Sequence, residues 1–170
     1  MTPGTELSQR SSVLKRPVVM LAGFARMPMG EKLALVAAWT LLAGAAAALR
    51  LFPFRRLAPL LGKALGPAAS VPVIDQRQTD SARLIRRAVL RAARLAPFRS
   101  DCLPQALAGA ALCRMLRVPA TVFLGVRLND GPSGMAAHAW LCAGAAAVTG
   151  GQSFERFTVV AAFALPGSKR

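Results

Sequence analysis

The spacing of apolar residues changes period near residue 117, and that change limits the fold more than any other feature. Before it, apolar positions recur at helical spacing. A segment opening at Ser100-Asp101 and running through CLPQALAGAALCRMLR reads as a helix, with Pro104 accommodated in its first turn. After it, the pattern alternates. From Val118 to Leu128, residues Val122, Leu124, Val126 and Leu128 fall on one side, and Thr121, Phe123, Gly125 and Arg127 on the other. Asn129-Asp130-Gly131-Pro132-Ser133-Gly134 is a turn cluster. Met135–Leu141 and Ala145–Val148 read as a hairpin about Ala143-Gly144, and Phe157–Phe163 as a further strand. One helix followed by about four antiparallel strands is an α+β arrangement.

The front half is different. Leu33 to Leu49 are 17 uncharged residues ending at Arg50. At 1.5 Å per residue they make a helix of about 25 Å, short of a hydrocarbon core of about 30 Å. Much of the stretch is Ala and Gly, and basic groups flank both ends, so we expect a buried or surface-docked helix rather than a membrane span. Residues 1–18 read as a flexible basic tail, and residues 17–25 (PVVMLAGFA) are too short an apolar run for a signal peptide. Residues 19–66 form a helical N-terminal segment, broken by Pro53 and Pro59 and ended by Leu65-Gly66-Pro67. Residues 67–78 read as a linker. Thr79-Asp80-Ser81 then supplies caps for a second helix reaching about Ala96. Its arginines 83, 86, 87, 91 and 94 fall within an arc of about 140°. Leu84, Ile85, Ala88, Val89, Ala92 and Leu95 occupy the other side.

Charge narrows the classes of partner. Lys and Arg number 22 against 7 Asp and Glu, a net charge of +15. Most of the excess lies before residue 118, so an acidic peptide or an anionic membrane surface would meet the front half. Nucleic acid is not expected: no aromatic residues interleave the arginines and no binding motif is present. Three cysteines without paired spacing argue against a disulfide framework and for a reducing compartment.

The chemistry rests on two residues. Cys102 lies in the first turn of its helix, where the helix dipole and unsatisfied N–H groups favour the thiolate. His138 is the one histidine and lies in the strand beginning MAAHAWL. An imidazole near that thiol would take its proton and later give it to a leaving amine, with N–H groups at the helix end holding the oxyanion. The bland reading is a small buried cysteine and a core histidine. Trp140 shares the strand face of His138 and either shields it or packs in the core. Cys113 and Cys142 are assigned to structure, and Asp101 to the helix cap. A metal site is rejected. Cys102 and Cys113 stand roughly 16 Å apart along one helix, and His138 and Cys142 roughly 13 Å apart along one strand. Neither pair shares an ion with bonds of about 2.0–2.3 Å. No cofactor is expected.

Residues 98–163 resemble the transglutaminase-like leader peptidases of lasso-peptide biosynthesis. The similar text is FRSDCLPQALAGAALCRMLRVPATVFLGVRL, then AAHAWL, a short hairpin and FTVVAAF, preceded by LRLFPFRRL and a basic helix ending in LAPFRS. The resemblance implies a papain/transglutaminase-like core at 76–165, in which a Cys-bearing helix packs on a small antiparallel sheet. It implies a cytoplasmic cysteine peptidase, with the inner membrane face as a second place of contact. Cys102 would be the nucleophile and His138 the general base. The substrate would be a leader–core precursor peptide. A separate leader-recognition protein would hold the leader, and an ATP-dependent, asparagine-synthetase-like cyclase would close the product. The family carries an Asp about twelve residues past the histidine, where this chain has Gly150. Gln152 and Glu155 are the candidates to orient the imidazole in its place. Acyl transfer to an amine is the rival enzyme reading. A basic membrane-associated binding module with a structural cysteine is the rival from another class.

Overall fold

The computed structural model describes residues 27–67, 69–128, 134–151 and 153–166. The basic tail, the apolar run at 17–25, Asp130 and Gln152 lie outside them. The chain divides after Leu33, and the described residues from Ala34 onward form one compact unit.

Helix α1 runs Met29–Leu51 and exceeds the uncharged stretch at both ends. The carbonyl of Pro28 accepts from the N–H groups of Glu31 and Lys32 at 3.0 and 3.1 Å, which joins the charged turn to the helix. At 23 residues α1 is about 34 Å long. By length and composition it is apolar enough to cross a membrane, which corrects the shorter estimate made from Leu33–Leu49 alone. Leu35, Ala38, Leu42 and Ala46 are buried, a stripe at helical spacing. Trp39 meets Phe98 edge-on, with ring centroids 6.0 Å apart.

Helix α2 (Phe54–Leu57) and a 3-10 turn (Ala58–Leu61) lead into β1, only Lys63–Ala64. Helix α3 spans Gln76–Leu95. It starts three residues before Thr79, inside the expected linker, because Asp75 and Gln78 form a capping box. The Asp75 carboxylate accepts from the Gln78 N–H at 2.8 Å, and Gln78 Oε1 accepts from the Asp75 N–H at 3.0 Å. Asp80 pairs with Arg83 at 3.2 Å within the first turns. Ala82, Ile85, Ala88, Val89 and Ala92 make the buried stripe. Arg83, Arg87, Arg91 and Arg94 are exposed, whereas Arg86 turns inward and donates to the Ala147 carbonyl.

Helix α4 (Cys102–Met115) is followed by β2 (Ala120–Leu128), β3 (Met135–Ala143), β4 (Ala146–Thr149) and β5 (Thr158–Leu165). The sheet order is β1-β5-β2-β3-β4, with every pair antiparallel. β2 and β3 pair without a slip from Thr121↔Cys142 to Leu128↔Met135. Alternation puts Val122, Ala139 and Leu141 on one face and Thr121, Phe123 and Trp140 on the other, yet all six are buried. Helix α4 covers the first face. The Ala69 region and Phe157 cover the second, packed on Phe123, Trp140 and Ala162. Thr121 Oγ1 donates there to the Ser70 carbonyl at 3.0 Å. The α+β class expected from the change of period is the one observed.

Leu141 is fully buried where α4 meets the sheet. Leu141→Ala is expected to lower stability by about 2–5 kcal/mol in urea unfolding, from lost transfer energy plus the cavity left behind. An unchanged midpoint would mean that this contact is not part of the cooperative core.

Candidate active site

Cys102 is the first residue of α4 and half-buried. Asp101 occupies the N-cap position in extended backbone, but its side chain makes no capping bond. It faces Arg99 at 3.5 Å instead, which corrects the reading of Asp101 as a side-chain cap. The turn is anchored from behind. Gln105 Nε2 donates to the Ser100 carbonyl at 2.7 Å, and Ser100 Oγ donates to the Ala93 carbonyl at 3.2 Å. These bonds tie the start of α4 to the last turn of α3. The first N–H groups of α4 are not capped by the Asp101 side chain.

Two contacts set how α4 lies on the sheet. A Cβ on Gly109 would stand 2.8 Å from Leu141 Cδ2, so α4 touches β3 at that point. Farther along, Arg114 donates to the Leu60 carbonyl, beyond the β1/β5 end of the sheet. His138 alternates with Leu141 along β3, so it lies on the Trp140 face of the strand and not on the face that α4 touches.

His138 is tightly held. Its Nε2 stands 2.7 Å from the Gly150 carbonyl oxygen. A carbonyl only accepts, so Nε2 carries a proton, and in the neutral imidazole the lone pair is then on Nδ1. The imidazole stacks on Trp140, with centroids 5.9 Å apart and planes at 24°. It also lies 5.0 Å from the Phe157 ring. Trp140 in turn stacks on Phe123 at 5.6 Å. Shielding and core packing are therefore both Trp140's role. The Arg127 guanidinium lies over Phe157, 5.3 Å from its centroid. Phe157 and the Gly150 carbonyl were not found by sequence reasoning. Phe157 read only as the start of a strand, and a main-chain acceptor carries no residue signature. Glu155 is exposed on the turn Ser153–Arg156, and the acceptor seen on Nε2 is Gly150.

Cys113 is buried, and Cys142 is half-buried like Cys102, yet desolvation pushes both of their thiols up, that of Cys113 to about 12. Among the described residues no cluster of three or more His, Cys, Asp or Glu side chains is placed to hold a metal ion.

The transglutaminase-like superfamily model matches residues 48–162. The chain belongs to that superfamily. The match takes in the end of α1, the α2–β1 segment, both helices that pack on the sheet, strands β2 to β4 and the first five residues of β5. No curated protein and no solved structure matches the chain. A transglutaminase-like domain suggests cysteine protease or acyl transferase chemistry, both of which need a nucleophilic thiol and a base.

Brief iodoacetamide treatment of the folded chain is expected to label Cys102 and spare Cys113 and Cys142, as peptide mapping will read. Preferential labelling of Cys113 would contradict its burial. The Cys113 shift also carries a sign. Its folded value lies above the ordinary 9.0, so its contribution to stability is whole below pH 9.0. That contribution is lost as pH rises from there toward about 12, because the unfolded chain ionises first.

Proposed function

We propose that the chain is a cysteine peptidase that removes the leader from a ribosomally made lasso-peptide precursor, with residues 76–165 as its catalytic domain. The observation that carries the reading is a thiol opening a helix whose contact strand bears the one histidine, within a transglutaminase-like domain. In the reaction His138 Nδ1 takes the Cys102 thiol proton as Sγ attacks the scissile carbonyl. The tetrahedral oxyanion meets N–H groups at the start of α4. The imidazolium then protonates the leaving amine, and water hydrolyses the thioester with His138 as base. The pair works only if Cys102 Sγ and His138 Nδ1 come within hydrogen-bond reach.

A separate recognition protein would hold the leader, and the freed amine would pass to an ATP-dependent, asparagine-synthetase-like cyclase. The exposed arginines of α3 suit an acidic leader. Contact between the basic front half and the inner membrane surface belongs to the same proposal, in a cytoplasmic setting.

The deciding experiment incubates the chain with its precursor and recognition partner and weighs the products. Cleavage at one bond, abolished in Cys102→Ala and lowered at least about a hundredfold in His138→Ala, is the expected result. A mass gain from an added amine would make the chain an acyl transferase. Intact precursor with every partner present, or cleavage unaffected by Cys102→Ala, would favour a binding module with a structural cysteine. Steering by the arginines predicts that KM rises with ionic strength while kcat holds; a salt-independent KM would remove α3 from substrate capture.

The approach of thiol and imidazole has its own test. The Cys102 alkylation rate should depend on a group lost in His138→Ala. Identical pH–rate profiles for the two proteins would mean that the residues do not pair.

A further inference from the structure

The described geometry leaves His138 without a carboxylate partner and gives it a main-chain one. We propose that the Gly150 carbonyl is the group that positions His138 for catalysis, in the place where the family resemblance implies an Asp. This rests on the peptidase reading for its catalytic meaning, though not for its geometry.

Three observations converge on Gly150. Its carbonyl oxygen lies 2.7 Å from Nε2 and selects the tautomer with Nδ1 free. Its backbone has φ +88°, a conformation that L side chains rarely adopt. A Cβ there would stand 2.3 Å from Trp140 Cβ, 2.7 Å from Trp140 Cα and 2.9 Å from the Ala139 carbonyl oxygen. The chain thus crosses directly over Trp140 as it leaves β4. Only a residue without a side chain allows that crossing, and the crossing is what aims the carbonyl at the imidazole. Trp140 and Phe157 hold the ring plane while Gly150 sets which nitrogen faces away. The glycine is therefore an alternative construction of the third position, with a dipole in place of a charge.

A carboxylate on this backbone has no room, so restoring the family residue should harm the enzyme. Gly150→Asp is expected to lower kcat by about tenfold or more, the effect of losing one hydrogen bond to an imidazolium that forms in the reaction. A folded Gly150→Asp protein with raised kcat would overturn the proposal. So would a loss of about tenfold or more in Glu155→Gln, which would return the role to a side-chain carboxylate.

The second measurement does not depend on activity or on a variant that folds. The chain has one histidine, so histidine labelled with 15N gives one pair of ring-nitrogen signals. The resting wild-type protein is expected to show Nε2 protonated and Nδ1 bare. The opposite tautomer would overturn the assignment even if processing depends on Cys102. Conversely, processing that survives Cys102→Ala would sink the peptidase reading and leave the tautomer result standing.

Discussion

The close approach of α4 to β3 is the contact on which the site depends. The missing side chain of Gly109 makes room for the fully buried Leu141 side chain, so helix and strand pack closely there. That meeting fixes where the middle of the helix sits on the sheet. With the helix tied at its start to α3 through Ser100 and Gln105, and at its end to the α2–β1 segment through Arg114, its direction is held at both ends. A thiol at the first helical position then inherits a defined place. Close packing of this kind transmits small changes in volume over several residues, so substitutions far from Cys102 can move it.

Much of the fold was legible in the residues. The period change near residue 117 located α4 and the strands, because alternation and helical spacing cannot both fit the same segment. Where the reading failed, tertiary or main-chain interactions decided. The start of α3 was misplaced because Thr79-Asp80-Ser81 offers good caps, while Asp75 and Gln78 complete a reciprocal box further upstream. Strand β1 has two residues and exists only because β5 supplies its partners. Arg86 sits among exposed arginines on the wheel, yet its long side chain reaches the Ala147 carbonyl. The candidate site shows the same division. Cys102 and His138 stand out by residue type and position, whereas the acceptor on His138 belongs to the backbone and has no letter.

A carbonyl and a carboxylate ask different things of an imidazole. Both accept from Nε2–H and fix the ring. The carboxylate adds a full charge that favours imidazolium, and hydrogen bonds with an ionised partner are roughly twice as strong as neutral ones. The carbonyl loses no side-chain entropy, since its direction is set by the chain itself. Here the aromatic rings on either side add to that rigidity.

The sheet ends at β4, a strand of four residues with only β3 beside it. Open edges invite other chains to add as strands, and proteins blunt them with short strands and charged side chains. Arg86 does this from a neighbouring helix by engaging the Ala147 carbonyl. The strand then bends away at Gly150 instead of continuing as a straight template. An extended peptide therefore finds little ladder to join on this side of the molecule.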